Sequence, residues 1–358
     1  MSRPGAPRSA RELLVGAALP VKLDRAMPAA EVQSWLADAL PGLAGELAEQ
    51  STVTDALRRW QLLSALGRTD LVLARLLEGH LDALAILDEA GRSPVPGAVY
   101  GVWASASGGT GLTLRDGRLS GLMRFCSGAL LLDRALTTAR DGEGALHLFD
   151  IGVRDPRLRS VPGSWPALGM DASTSLDVEI HALPVDAESV VGGPGFYLER
   201  TGLHLGGIGV AAVWLGGLQG LLDATLRVLG ERQPDEHGFA HLGAVSVALE
   251  SGAATLVGVA QRLSRAPADG DTGLCDLPPA ELARIALICR SAVESAVGVG
   301  IQRLPRVVGP VALGRDGDFA HRLADLEVFV RQHHGERDLA RLGTAEYAEP
   351  WSAGPVGG

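Results

Sequence analysis

Phe125 and Ser127 are the first residues whose types and spacing could do chemistry. They lie near the end of the run Leu119–Gly128, which has the alternation of a β-strand. Because successive strand side chains point to opposite faces, this spacing predicts that both side chains lie on one face. The ring could stack on a planar ligand while the hydroxyl donates a hydrogen bond to it. A core phenylalanine beside a strand-end serine is the simpler interpretation.

A glycine-rich segment, Ser105–Thr110, follows a strand-like run shortly before this pair. Backbone N–H groups of such a loop could bind a ligand phosphate or the edge of a ring. An ordinary turn also explains the composition. The segment therefore supports a ligand site only together with other evidence.

Two further patterns have simple structural explanations. His237 and His241 are four residues apart, a spacing that can place two imidazoles on one helix face for zinc, but no third ligand is apparent. The segment Gly207–Ala212 matches a dinucleotide-binding pattern, but a helical region follows without the second parallel strand that such a site needs. Surface histidines and close helix packing explain both.

The chain that must position these residues begins with a helical unit. Between Ala29 and Ala90 apolar residues recur at helical spacing, with predicted breaks at Pro41, Gly67 and Gly91. From Ala98 to about Val191 the runs are short and bounded by turn residues, and Asp116-Gly117 between two alternating runs predicts a hairpin. We therefore expect an antiparallel β unit in mid-chain.

Helical periodicity returns from Leu203 to Gly343 in four long stretches, which predict a four-helix bundle. The last stretch includes the histidines of RQHHGERD and is predicted as one helix. The fold class is mainly α with a β-rich middle domain. The expected units are residues 1–94, 95–192 and 193–345, followed by a flexible tail at 346–358.

Composition excludes some partners. With 358 residues and a formal net charge of −10, the chain lacks the basic balance of nucleic-acid-binding proteins. Its three cysteines show no CxxC spacing, which fits a reducing cytoplasm. Leu205–Leu222 is nearly uncharged and as long as a short membrane span, but its six glycines and Gln219 favour a buried bundle helix. We predict a cytoplasmic protein without a membrane span.

The order of units and two segments resemble the acyl-CoA dehydrogenase superfamily over about Ala29–Gly343. The family segment of the type YCVTEPGAGSD matches Tyr100–Thr110 without gaps, and the element G-x-K-x-W-I-T matches Gly121–Ser127. The resemblance implies a helical N-domain, a β-barrel-like middle domain and a C-terminal four-helix bundle.

The resemblance also implies FAD as cofactor. Phe125 takes the place of a tryptophan that packs on the flavin, and Ser127 that of a threonine that hydrogen-bonds near flavin N5. A later family element contacts the FAD of a neighbouring subunit, and here Arg306 and Gly309 stand in it, which implies a homodimer or homotetramer. The remaining implied flavin contacts are Val102, Trp103, Gly108 and Gly109.

The implied reaction is α,β-desaturation of an acyl thioester such as an acyl-CoA, with hydride transfer to flavin N5 and electrons passed to a partner protein or oxygen. It needs a carboxylate to remove the α-proton. The family's glutamate position is His333 here, and the alternative position in some relatives falls on Gly206 and Gly207. His333 itself, since neutral imidazole is a competent base, or Glu336 one turn later could substitute.

Two alternatives remain open. Relatives of the dibenzothiophene monooxygenase type also carry histidine in this late helix, which indicates flavin-dependent oxygenation. A catalytically degenerate flavin-binding protein or flavin-free scaffold is the other, because Trp103 replaces a small threonine and the E-P dipeptide is missing. For RQHHGERD, a solvated helix end is the simple structural explanation.

Overall fold

In the computed structural model, residues 9–21, 28–50, 55–105, 111–263 and 277–348 are described. The first unit is helical, as predicted. Asp70 caps the helix that begins at Leu71, where its carboxylate accepts the N–H groups of Val72 and Leu73. The helices are α1 (Ala10–Leu14), α2 (Ala29–Gln50), α3 (Ala56–Thr69) and α4 (Leu71–Glu89).

Two predicted helix breaks in this unit were wrong. Pro41 lies inside α2 on an exposed face, where water can bind the carbonyl that loses its helical partner. Gly67 lies inside α3, and a Cβ there would come 2.1 Å from the backbone oxygen of Val213. The glycine therefore lets two helices touch and does not end one.

The middle unit is a β-sheet of eight strands in the part of the chain described. The hairpin at Asp116-Gly117 is confirmed, since both residues have positive φ, as a type I′ turn requires. The strands are β1 (Tyr100–Trp103), β2 (Gly111–Arg115), β3 (Arg118–Cys126), β4 (Arg134–Arg140), β5 (Leu146–Gly152), β6 (Leu158–Ser160), β7 (Leu176–Pro184) and β8 (Val190–Val191).

The strand order is β6-β7-β3-β2-β4-β5-β8, with β1 on β4. The expectation of a purely antiparallel unit was wrong at β4, which pairs in parallel with both β1 and β2. Strands that a short turn joins pair antiparallel, as β2 and β3 do. β4 follows this hairpin and pairs with β1 and β2 instead of β3, so it runs parallel to both. The sheet is therefore mixed.

The third unit is formed by the long helices, whose central member is α6. The helices are α5 (Phe196–Glu199), α6 (Gly202–Leu229), α7 (Glu236–Leu263), α8 (Pro279–Val308), α9 (Pro310–Arg315), α10 (Gly317–Phe329) and α11 (Glu336–Ala348). By length and composition alone α6 and α7 could each span a membrane, and 83% and 33% of their most apolar windows are buried inside the protein. The first value is that of a core helix.

The last predicted helix is divided in two. A 3₁₀ turn at Val330–Gln332 follows α10, and α11 begins only at Glu336. The first segment ends where His333 takes an extended backbone, with ψ 133°, and Gly335, with φ 55°, makes the turn into α11. His333 therefore lies in a loop between helices. Helix α11 continues to Ala348, three residues beyond the boundary expected for the tail.

Backbone contact joins the first and third units. A Cβ at Gly216 of α6 would lie 2.0 Å from the carbonyl oxygen of Ser64 on α3, so the two helices cross without a side chain between them. One core cluster runs through α2, α3, α4, the sheet and α6 to α10. The site residues are thus carried by elements that share one hydrophobic core.

Candidate functional site

Phe125 lies at a β-bulge, where the register of β3 against β7 shifts between Met123 and Cys126. Its φ is 58°, so the alternation that predicted a common face with Ser127 is interrupted there. The ring is 48% exposed and meets Trp165 edge to face, with ring centres 6.3 Å apart. Phe125 is thus an aromatic surface held from one side and open to a ligand.

Ser127 follows the strand and begins a chain of hydroxyl groups. Its Oγ is 2.9 Å from Oγ of Ser175, which is 2.8 Å from Oγ of Ser173. The Ser173 hydroxyl donates to the carbonyl of Met170 over 2.6 Å. The indole N–H of Trp165 donates to the same carbonyl, so Phe125 and Ser127 rest on one loop segment.

Trp103 is 1% exposed, and its indole N–H donates to the Ser127 carbonyl over 3.0 Å. The Trp103 ring, which stands where the resemblance implies a small threonine, therefore points into the protein and supports Ser127. Val102 and Ser127 border a recess of about 10 Å³. The recess is also lined by residues of α4 and of the sheet, namely Arg75, Leu76, Gly79, Gly101 and Leu132.

The recess has a donor without a partner. Nε of Arg75 is buried and has no hydrogen bond among the described residues, while its Nη1 pairs with Glu78 at 2.7 Å. The recess is far smaller than a whole ligand pocket, so a ring system could only lie across its mouth. A planar cofactor with ring oxygens and nitrogens, such as a flavin, suits an open aromatic face, a hydroxyl and an unpaired guanidinium donor.

The other expected flavin contacts lie elsewhere or outside the description. Gly108 and Gly109 fall in residues 106–110, outside the described residues. Arg306 is exposed in the last turn of α8, and Gly309, with φ 76° and no atom near its Cβ position, joins α8 to α9. Both are open to a neighbouring molecule.

His333 is enclosed, since its side chain is 1% exposed. Its Nδ1 accepts the N–H of Gly335 at 3.1 Å, and its Nε2 lies 3.0 Å from Oγ of Ser291. Burial lowers the pKa of His333, an effect that Asp338 partly opposes, so the imidazole is neutral at pH 7. Because Nδ1 accepts, the ring proton is on Nε2, and both nitrogens are engaged.

Glu336 is exposed at the first position of α11. Arg290 donates to the carbonyls of Gly207 and Gln332, each at 2.9 Å, and its guanidinium lies 4.7 Å from the centre of the Trp214 ring. This arginine joins the start of α6 to the His333 loop. The two residues expected as alternative bases therefore differ in environment, since His333 is enclosed and Glu336 is exposed.

A carboxylate lies beside the start of α6. A Cβ at Gly206 would come 2.9 Å from Oδ1 of Asp82, which extends from α4. Asp82 borders a cavity of about 40 Å³ between α3, α4 and α6. This is room for a few water molecules and is well below the size of a whole ligand pocket. The cavity is lined by Ala56, Arg59, Trp60, Asp82, Ala85, Glu89, Gly202, Leu205 and Gly206.

The cavity wall is charged. Both carboxylate oxygens of Glu89 have partners. One pairs with Arg200 at 2.8 Å, and the other accepts the N–H of Gly202 at 2.9 Å. The contact of Asp82 with Arg200 is long, at 3.4 Å, so the Asp82 carboxylate can still accept a hydrogen bond from a ligand. Burial lowers the pKa of Arg59, while Asp82 and Glu78 favour its charge. The lining thus carries two carboxylates and one guanidinium.

Sequence reasoning missed several of these residues. Charged residues at i, i+3 and i+7 in the otherwise apolar α4, from Arg75 through Glu78 to Asp82, could have indicated a buried polar face. The run DASTS before β7 is rich in hydroxyls, but its partner Ser127 lies far away in sequence. No local pattern pairs Arg290 or Ser291 with the His333 loop.

No protein-family model matches the sequence, and no match was found among curated proteins. Solved structures do match. Dibenzothiophene monooxygenase TdsC from Paenibacillus sp. A11-2, in complex with FMN and indole, has a TM-score of 0.70 at 16% identity, covering 90% of this chain and 97% of that one.

Two other structures are similar over most of their length. KijD3 in complex with FMN and dTDP-3-amino-2,3,6-trideoxy-4-keto-3-methyl-D-glucose has a TM-score of 0.71 at 20% identity, covering 92% of this chain and 91% of that one. Butyryl-CoA dehydrogenase from Megasphaera elsdenii has a TM-score of 0.67 at 16% identity, covering 82% of each. The similar structures include flavin-binding proteins, and at these identities the likeness defines the fold. The chain has the acyl-CoA dehydrogenase fold.

Proposed function

We propose that this chain is a flavin-dependent monooxygenase. The observation that carries the proposal is the state of His333: both ring nitrogens are engaged, so the residue at the expected base position offers no lone pair to a substrate proton. Desaturation of a thioester depends on such a base. Oxygenation by reduced flavin does not require α-proton removal.

When bound, the reduced flavin would supply two electrons; with two more from the substrate they reduce O₂, one oxygen atom entering the substrate and the other leaving as water. The chain's own residues would hold and orient the reactants. Phe125 would stack on the ring system, Ser127 and Arg75 would hydrogen-bond to its edge, and Trp103 would hold Ser127 from behind. FMN, which structures of TdsC and KijD3 contain, and the expected FAD are both tested below.

The substrate would lie beside Asp82, where the cavity would widen to admit it. Arg75, Gly79 and Asp82 follow one another on one face of α4, so this cavity is about one helical turn from the recess that holds Ser127. A wall with two carboxylates and a guanidinium suits a small polar molecule with hydrogen-bond donors better than an apolar acyl chain.

Acyl-CoA desaturation is the second candidate, and Asp82 favours it. Its carboxylate lies beside Gly206, at one of the two positions where the resemblance implies a base. In that reaction Asp82 would take the α-proton and the flavin the β-hydride. An electron-transfer partner or oxygen would then reoxidise the flavin.

The decisive experiment begins with reconstitution of the purified protein with FMN and with FAD. Reduced flavin, ¹⁸O₂ and indole or a small amine are then supplied, and product mass is measured. Incorporation of one ¹⁸O atom supports oxygenation. Anaerobic bleaching of the bound flavin by butyryl-CoA would instead establish desaturation, and failure to bind either flavin would contradict both candidates.

The expected homodimer or homotetramer belongs to the same proposal, supported by the exposure of Arg306 and the open space around the Cβ position of Gly309 at the end of α8. Light scattering during size-exclusion chromatography tests it. A flavin affinity that falls on dilution, and falls further in Arg306→Ala, would place these residues at a partner's cofactor. The cytoplasm is the proposed location.

A further inference from the structure

A second cluster of side chains that could bind a ligand lies where the middle unit meets α10. It consists of Asp171, in a 3₁₀ turn before β7, and of His321 and Asp325 on α10. The two α10 residues are four apart, so they share one face of the helix. One carboxylate or imidazole atom of each residue lies within 4.8 Å of the others. None of the three has a part in the proposed oxygenation.

The loop that carries Asp171 is pressed against the backbone of α10. A Cβ at Gly169 would lie 2.0 Å from the carbonyl oxygen of Ala324, so only glycine allows this approach. The N–H of Met170 then donates to Oδ1 of Asp325 over 2.5 Å. Oδ1 of Asp171 accepts a backbone N–H of its own turn over 2.7 Å. Backbone donors therefore orient both carboxylates, as second-layer hydrogen bonds orient carboxylates that bind metals.

The cluster combines a buried carboxylate with an imidazole. Asp325 is 1% exposed, and Asp171 and His321 are half-buried. The His321 side chain makes no hydrogen bond or ion pair with the residues that the structure describes, although it lies within 4.8 Å of both carboxylates. The imidazole is thus close to two acidic groups without a direct bond to either. A cation between the three groups would join them.

We propose that Asp171, His321 and Asp325 bind a divalent transition-metal ion. Imidazole nitrogen and carboxylate oxygen are ligands of Zn²⁺, Mn²⁺ and Co²⁺, whereas Ca²⁺ and Mg²⁺ are bound through oxygen. Two carboxylates balance the two positive charges of the ion. Ligand atoms about 2.1 Å from one ion lie about 3–3.5 Å apart, so side-chain movements of about 1 Å close the site, and water completes the coordination.

The ion ties the sheet to the helical unit beside the candidate functional site. The segment Met170–Ser175 carries the hydroxyl groups that pair with Ser127. Its first carbonyl accepts from the indole of Trp165, whose ring meets Phe125. A metal bound through Asp171 fixes this segment on α10. Its role is structural, and the ion binds whether or not flavin is present.

The test is metal binding by the full chain, purified without an affinity tag and stripped with EDTA. Isothermal titration calorimetry with Zn²⁺ should give one ion per chain. His321→Phe and Asp171→Asn each remove one ligand and should weaken Zn²⁺ binding at least about tenfold, since loss of an outer-shell partner alone has such an effect. Zn²⁺ should raise the melting temperature of the wild type more than that of either variant.

His237→Phe is the matched control, because it removes a helical imidazole from the other pair spaced for zinc. The second member of that pair, His241, already accepts from Arg303. The Zn²⁺ affinity of this variant should equal that of the wild type. Co²⁺ identifies the ligand atoms: imidazole and carboxylates give weak visible bands, whereas a thiolate adds strong near-ultraviolet absorption. We expect the visible bands alone, because Cys126 and Cys289 are buried away from the cluster.

Unchanged Zn²⁺ affinity in Asp171→Asn and His321→Phe, loss of binding in His237→Phe, or thiolate absorption with Co²⁺ would overturn the inference. A wild-type protein that binds neither ion would overturn it as well. Circular dichroism of the metal-free variants separates loss of fold from loss of the site, and Asp171→Asn, which keeps the acceptor of its turn, decides the outcome where His321→Phe does not fold. Flavin affinity is measured separately on the stripped protein, so failure of the proposed function is distinguished from failure of the metal site.

Discussion

Asp82 occupies the space that a side chain at Gly206 would need, because a Cβ there would be 2.9 Å from its Oδ1. A carboxylate from the first helical unit thus reaches the start of α6 and faces the larger cavity. This contact joins two residues more than a hundred positions apart, and it bears on which ligand the cavity accepts.

Asp82→Asn should remove a preference for cationic ligands. Among tryptamine, indole and indole-3-acetate, which differ mainly in charge, tryptamine is expected to bind the wild-type protein most tightly. The variant should bind tryptamine about tenfold more weakly, in line with one charge-assisted hydrogen bond. Isothermal titration calorimetry measures this, with Asp88→Asn, an exposed site on α4, as control. Tightest binding of the acetate would contradict the expected polarity.

Phe125→Ala should weaken flavin binding about tenfold, because a stacked aromatic ring is lost. Phe239 on α7 is equally exposed, at 48%, so Phe239→Ala controls for loss of a surface ring. Flavin fluorescence quenching gives both dissociation constants. Equal affinities in the two variants would remove Phe125 from the site.

His333→Gln should lower the free energy of unfolding by about 1–3 kcal/mol, because a buried ring with two hydrogen bonds is replaced. His334→Gln, whose side chain is 61% exposed, should change stability by less than about 0.5 kcal/mol. Urea unfolding compares the two. Unchanged stability together with loss of turnover in His333→Gln would support the original expectation of a catalytic base.

Acid should destabilise the protein through His80. Burial lowers the pKa of this imidazole to about 4, and its Nδ1 accepts the N–H of Tyr100. The unfolded chain binds a proton near pH 6.5 and the folded one only near pH 4. Stability present above pH 6.5 is therefore lost as the pH falls through this window, by about 3 kcal/mol.

His80→Asn keeps an acceptor for Tyr100 but cannot titrate. Urea unfolding at intervals from pH 7 to pH 4 should show a smaller loss in this variant than in the wild type. Parallel pH profiles would assign the acid sensitivity to other groups.

Gly216→Ala should destabilise the fold by more than about 2 kcal/mol, because its Cβ would lie 2.0 Å from the Ser64 carbonyl oxygen. Gly243→Ala, on α7 with no atom within 4 Å of the Cβ position, should stabilise by about 0.5–1 kcal/mol. Thermal unfolding distinguishes them. Similar melting temperatures would contradict the close crossing of α3 and α6.

Sequence periodicity was enough for the helical and β units, because each long helix buries one face and each strand alternates. It could not give the bulge at Phe125 or the parallel neighbours of β4, which depend on distant strands. The break before α11 had a local signal in Gly335, which the helical pattern around it obscured. His333 and Ser127 could be singled out because they stand at family motif positions. Their hydrogen-bond partners, Ser291 and Ser175, are distant in sequence and could be identified only from the fold.

The close crossing of α3 and α6 at Gly67 and Gly216 also determines whether the first helical unit can be removed from the rest of the protein. Since the backbones of α3 and α6 meet directly, the side of α6 that faces α3 is shielded from water by α3 itself. A protein shortened to begin at residue 95 would expose the apolar groove that α3 fills and would tend to aggregate. Helices α3 and α4 are therefore part of the helical core, and function is better probed by point substitutions than by removing the first helical unit.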